Sequence, residues 1–422
     1  MTGAPDAVSS LENTVRVLHD WWNVSGDPGY LARYAAPESS DPAVLAIFDG
    51  ADPYNHFGVD YDGETWAWRG HISRDQYQGV LLGFALAYEA SEDEEIRELI
   101  REDVVEFVEQ LMLAETHTLR IKTSDFPLGI PVTVEMQYCV FTDAETASGD
   151  PEITFDMADV GSSELDGFQE FHPRFYNYIA DQTPLLSWIP EIPRSDSAVM
   201  LASFFRVALL VTDGAPGWET RRAAILAHYE DNVSSWLDVA ENPLGYTMGA
   251  CGNAYYGYNI RFEPMYNLAR LETDPVLGAR VRDNVLAGIM WPQVETHKNS
   301  WFAFIHCANQ PWSTAIEAVA LAHADQLALF PIPPSIHVAR DLATEYPASI
   351  ECPGQSTEAV DVDDRCVEDF MWQRHPWQLL DSGEPLEIYP GVDYLSAYWL
   401  GRRHGFVDDD APDTCLRWRP ND

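Results

Sequence analysis

"WAWRGHISRDQYQGVLLGFALAY", residues 66–88, sets two tryptophans, two arginines, a histidine and an aspartate in front of an apolar run. Ser73 stands three residues ahead of Gln76, the spacing of a capping box, and Tyr77, Val80, Leu81, Phe84 and Tyr88 follow at helical steps. A helix therefore begins at Ser73. Gly79 and Gly83 sit four apart on it, where each costs about 1 kcal/mol relative to alanine, so close approach of another backbone is the natural compensation. That predicts a helix buried on most sides. The segment before it, about 49–71, reads as a Gly/Asp/aromatic loop.

Working outward, the same periodicity recurs. Leu11, Val15, Leu18 and Trp22 share one face of a helix over 11–24, and 93–115 is amphipathic. Apolar 197–212 is followed by polar 218–241, and aromatic-rich 255–272 by 274–290, where Asp274 can cap and Pro275 takes the first helical position. Further helices fit 311–329, opening on Pro311, and 393–403. Alternating buried and exposed helices are what a closed ring of helical hairpins produces, with buried members inside. Between 117 and 195 the pattern changes: "HTLRIKT" and "VTVEMQYCVF" read as strands, and the rest is rich in Pro, Gly and acidic residues. The expected architecture is a mainly α single domain over 1–422, an (α/α) toroid or barrel, with a β-containing insertion at 117–195.

The 422 residues carry 68 acidic and 25 basic side chains, a formal charge of −43, and Lys122 and Lys298 are the only lysines. Self-repulsion on that scale is relieved by salt, which points to a saline setting, either a salt-accumulating cytoplasm or export into marine water or brine; the alternative is simply an acidic solubilising surface. A nucleic-acid partner is not expected, because phosphates would be repelled and no Lys/Arg stripe appears. No stretch reaches the roughly 20 apolar residues of a membrane span. The six cysteines form no C-x-x-C pair, which argues against structural zinc, and Cys352 and Cys366 flank one loop that a disulfide could close.

Three clusters carry candidate chemistry. His71, Arg74 and Asp75, with Trp66, Trp68 and Tyr77, lie at a helix N-terminus, where unpaired N–H groups favour an anion. The alternative is that Asp75 complements the helix dipole, Arg74 pairs with a carboxylate and the tryptophans are core. Tyr256, Tyr258, Asn259 and Glu263 open the helix at 255–272 and offer rings and hydrogen-bonding groups suited to a sugar. Near the C-terminal end Trp372 and Arg374 precede Asp393, an acid at the start of an apolar helix like Asp75. If the ring closes, Asp75 and Asp393 face each other as a carboxylate pair. "DYDGE" (60–64) offers Asp60 and Asp62 to calcium without the distal glutamate of a full loop, so no cofactor is expected. "DVDD" (361–364) matches the acid motif of class II terpene cyclases. Nucleotide-binding, G-x-S-x-G and H-E-x-x-H motifs are absent.

Helical hairpins with Trp, Arg, His and Asp clusters at inner-helix starts resemble the (α/α) toroid enzymes that cleave glycans, both hydrolases and uronate lyases. The resemblance implies a carbohydrate substrate in an aromatic-lined cleft. In a hydrolase Asp75 and Asp393 share the acid and base roles, with Glu263 as substitute. In a lyase Arg74 or Arg374 neutralises the uronate and His71 or Tyr256 takes the proton. The alternatives are a cyclase acting through Asp363 in a dry aromatic cavity, and a non-catalytic protein that binds a glycan or small ligand.

Overall fold

The computed structural model describes residues 5–123, 126–142, 151–155, 168–246, 249–331, 339–365, 370–381 and 391–407. The described residues are mainly helical, with small sheets. Their contacts divide into two compact units, 3–240 and 241–422, the latter joined by residues 1–2. No helix among the described residues is long and apolar enough to cross a membrane.

In the unit 3–240, helix α1 (Pro5–Asn23) leads to a three-stranded antiparallel sheet, order β1-β3-β2, formed by β1 (Tyr34–Pro37), β2 (Asn55–Tyr61) and β3 (Glu64–Arg69). The loop expected over 49–71 is therefore largely a β-hairpin. Its turn is Asp62-Gly63, both at positive φ (44° and 75°), the requirement of a type I′ turn and the reason Asp-Gly closes two-residue hairpins. Asp60 is a paired strand residue opposite Thr65. The two aspartates weighed for calcium and set aside are thus hairpin residues. Among the described residues no group of three or more His, Cys, Asp or Glu is placed to hold a metal ion.

A short helix α2 (Pro42–Leu45) lies between β1 and β2, and α3 (Arg74–Ala90) follows β3. The Ser73 backbone N–H donates to Gln76 Oε1 at 3.1 Å, so the expected cap is in place. Burial of α3 differs from expectation. Tyr77, Leu81 and Phe84 face the core, but Gly79 and Gly83 are exposed and a Cβ built on either meets nothing within 4 Å. Its successor α4 (Glu94–Met112) is the more buried of the two, holding even Arg101 and Asp103 inside. With no close approach to preserve, Gly79→Ala and Gly83→Ala should each stabilise the protein by about 0.5–1 kcal/mol, through helix propensity and a less flexible unfolded chain. Urea melts check this, and lower stability would mean that the glycine face is packed in the native protein.

Strands β4 (Ala114–Thr123) and β5 (Phe126–Gln137) form a long antiparallel pair, with β7 (Glu152–Phe155) parallel to β4 on its other edge. Between them in sequence, β6 (Cys139–Phe141) pairs with β8 (Phe168–Glu170). Leu119, Ile121, Val134, Met136 and Ile153 pack with Phe175 and Ile179 of α5 (Phe175–Gln182). Helix α6 (Ser195–Val211) is buried on nearly every side, and α7 (Glu219–Ala240) covers it with Ile225, Tyr229, Val233 and Trp236.

In the unit 241–422, α8 (Tyr256–Leu271) is buried along most of its length. The helix expected over 274–290 is α9 (Pro275–Ala279), capped by Asp274, running into a π-helical stretch Arg280–Met290. Helix α10 (Ser300–Ala308), which sequence reading missed, is almost wholly buried. Helix α11 (Thr314–Ala328) starts later than Pro311, because Ser313 caps it by accepting from the Ile316 N–H. The last helix, α12 (Val392–Arg403), packs on α10, and a two-stranded ribbon pairs β9 (Arg340–Asp341) with β10 (Leu380–Asp381). Cys352 bonds not to Cys366 but to Cys251, with Cα atoms 5.5 Å apart. Cys366 lies outside the described residues, while Cys139 and Cys307 are free and buried.

Candidate functional site

The opening segment does not form one exposed wall. Trp66 and Trp68 alternate along β3 onto one face and are buried, Trp66 edge-on to Tyr61 and Trp68 stacked 4.0 Å from the His56 ring. Tyr77 is fully buried against Trp22 and Phe107, and its hydroxyl accepts from the Leu31 N–H at 3.0 Å. These three aromatics are core rather than a sugar platform. His71 occupies a left-handed turn (φ 51°) between β3 and α3, stacked 4.4 Å from Tyr54. Asp75 is exposed in the first turn of α3. Arg74 pairs with Asp196 at 3.1 Å and donates to Ser197 Oγ at 2.6 Å.

In the other unit, Tyr258 is buried with its hydroxyl donating to Gln293 Oε1 at 2.9 Å, while Tyr256 is half exposed. Asn259 Nδ2 donates to Glu263 Oε1 at 2.8 Å within α8. Asp393 is buried, not at an open mouth. Its Oδ2 accepts from the Met371 N–H at 2.6 Å, and its carbonyl accepts from the indole N–H of Trp372, itself fully buried, at 2.8 Å. That is the work of a cap; Asp393 belongs to 241–422, whereas Asp75 belongs to 3–240. Arg374 is exposed and borders a cleft in its own unit.

What converges instead, within 3–240, lies at the N-terminal end of α6, where Arg74 already meets Asp196. Arg194, just ahead of the helix, forms an ion pair with the buried carboxylate of Glu170 on β8. Burial opposes the charge of Arg194, but Glu170 and Asp196 hold it protonated and its pKa is raised. Two residues beyond Glu170, His172 is stacked 4.5 Å from Tyr178 and 5.6 Å from the Tyr138 ring. Its Nδ1 accepts from the Arg174 N–H at 3.0 Å. Burial, then Arg194 and Arg174, pushes the pKa of His172 down to about 4. Neutral at ordinary pH with Nδ1 accepting, it carries its proton on Nε2.

Tyr138 links β5 to β6 at φ 61°, a strained conformation for a side chain of that size. Two backbone bonds enforce it: the Tyr138 N–H donates to Leu111 O, and the Phe171 N–H donates to Tyr138 O. The strain aims the Tyr138 hydroxyl at His228 of α7, 3.1 Å from Nε2. Burial lowers the pKa of His228 and raises that of Tyr138. Both are therefore uncharged at neutral pH. His172 and His228 are half-buried, Tyr138 more deeply. Sequence reading missed this group because its members lie 34 to 90 residues apart; the available signal was "QYCVF" breaking the alternation of a strand.

Compared with family models, curated proteins and solved structures, the chain matches none.

Proposed function

We propose that this protein cleaves acidic glycans by β-elimination, with Tyr138, His172 and His228 at the reacting centre. The observation that supports this reading is the Tyr138–His228 contact, an uncharged hydroxyl and an uncharged imidazole held by a strained backbone beside a second neutral histidine. His228 accepts the proton α to the uronate carboxylate, the C–H electrons form the C=C bond, and the glycosidic C–O bond breaks. Tyr138 protonates the leaving oxygen and recovers its proton from His228. His172, through Nε2–H, donates to the carboxylate as charge builds on it. No water is added. The hydrolytic reading is the weaker, because Asp393, one of its two carboxylates, is buried and caps the Met371 N–H. The (α/α) ring is part of this proposal.

A cyclase is not favoured. Asp363 is exposed, and the cleft beside "DVDD" is lined by arginines and aliphatic residues rather than an aromatic cage. The test is mass spectrometry of products from uronate-containing and neutral polysaccharides in high salt. Unsaturated oligosaccharides from the former alone are expected, and Tyr138→Phe or His228→Gln should lower turnover by about 10²–10⁴-fold with unchanged circular dichroism. Products carrying an added water, or no cleavage by the folded protein, would overturn the proposal.

A further inference from the structure

The arginines of this acidic chain generally find carboxylates. Arg69 meets Asp52, Arg101 meets Glu94 and Glu98, Arg194 meets Glu170, and Arg280 meets Glu241. Arg261, buried with no carboxylate in ion-pair distance among the described residues, lies over the rings of Tyr246 and Tyr258, whose faces attract its charge. Arg365 has neither. It is 8% exposed, its Nε and Nη2 donate to the carbonyl of Val360, and Nη2 also donates to the carbonyl of His297 at 2.7 Å. Among the described residues no carboxylate lies within ion-pair distance of it. Three aspartates stand next to it in sequence, yet Asp361 is taken by Lys298 at 2.5 Å and Asp364 by the Tyr346 hydroxyl at 2.8 Å. Burial lowers the pKa of Arg365 to about 10, which still leaves it charged at neutral pH.

An arginine hydrogen-bonded to carbonyl oxygens retains its full charge while its position is fixed, and burying that charge with Asp361 acting on it only from beyond ion-pair distance is costly. Arg365 lines a narrow cleft of about 40 Å³ within 241–422, together with Arg340, Arg374, His375 and the carboxylates of Asp364 and Asp381. The opposite character is also present, since Leu342, Val360, Met371 and Leu379 give the cleft an aliphatic wall. That room fits one small group rather than a whole small-molecule ligand. We infer that this cleft binds a small oxyanion, a carboxylate, sulfate or phosphate, with Arg365 as the fixed counter-charge and the aliphatic wall closing its other side. Arginine suits this role because its planar fork meets two oxygens at once. The inference is independent of the reaction proposed for 3–240.

The test is isothermal titration of the full chain with sodium sulfate, phosphate and acetate, at an ionic strength held constant with sodium chloride. At least one should bind saturably at one site per chain. Arg365→Lys keeps the charge but loses the fork, and Arg374→Gln removes a rim charge; each should weaken binding at least tenfold. No saturable binding by any of the three anions would overturn the inference, as would unchanged affinity in folded R365K. Should R365K fail to fold, the exposed R374Q variant decides, and unchanged affinity there counts against the inference.

Discussion

Replacing Cys251 and Cys352 together by serine is expected to lower the unfolding free energy of the 241–422 unit by about 3–5 kcal/mol. The two cysteines are 101 residues apart in sequence, and cross-linking a loop of about 100 residues removes roughly 4.7 kcal/mol of chain entropy from the unfolded state, less any native strain. The bond also fixes a neighbourhood. Gln355 Nε2 donates to the Cys251 carbonyl at 2.9 Å and lies 3.4 Å from His375 Nε2. Gly252, at φ 72°, has no room for a side chain, since a Cβ there would come within 2.9 Å of His375 Cβ. The disulfide thus ties the turn at 250–252 to the segment carrying Gln355, and through it to the wall of the arginine-lined cleft. Guanidinium melts with and without dithiothreitol check the expectation. A midpoint that does not move on reduction or in the double serine variant would show that this bond constrains nothing the fold needs. The same variant should bind oxyanions more weakly, by loosening His375 rather than by altering charge.

The parts of this fold that could be read from the sequence are those whose two faces differ in environment. Helices α1, α4 and α7 each carry an apolar stripe opposite charge, and the alternation of buried α6 with covering α7 followed from composition alone. Helix α10 escaped because "SWFAFIHCA" is apolar all round; a helix buried on every side has no periodic signal. The hairpin β2–β3 was missed for a different reason. Asp60 and Asp62 drew attention as carboxylates, whereas the informative pair was Asp62-Gly63, a turn signal by virtue of backbone and not charge. Gly79 and Gly83 illustrate the converse error, because a helical glycine implies close packing only if something is there to pack. At the candidate sites the limit is non-locality. Arg74 stands in a polar cluster in the sequence, but its partners Asp196 and Ser197 are more than 120 residues away. Asp393 looked like Asp75 in local sequence, and only the backbone of Met371 distinguishes a cap from an exposed acid.

Acidification should destabilise the 241–422 unit steeply between about pH 6.5 and pH 4. His297, His306 and His323 are all at most 8% exposed, and burial pushes the pKa of each down to about 4, with Arg365 adding to the effect on His297 and His323. His306 lies flat on Trp291 at 4.5 Å, and its Nδ1 and that of His323 have no hydrogen-bond partner among the described residues, so neither site offers a proton a favourable place. An unfolded histidine titrates near 6.5, and between the two values the unfolded chain binds more protons than the folded one. Stability is therefore complete above about pH 6.5 and is lost as pH falls toward 4, at up to about 1.4 kcal/mol per pH unit for each histidine. The charge of −43 acts in the other direction, because protonating carboxylates relieves self-repulsion, but high salt screens that term and leaves the buried imidazoles exposed as the cause. Guanidinium melts at pH 7, 6 and 5 in concentrated sodium chloride should show the fall, and His306→Gln should reduce its slope by the share of one histidine. Stability that is flat or rising toward pH 5, or a parallel slope in that variant, would remove the histidines as its source. Sulfate or phosphate, by neutralising Arg365, should raise the pKa of His297 and His323 toward the unfolded value and so shrink the loss, an effect that Arg365→Lys should diminish.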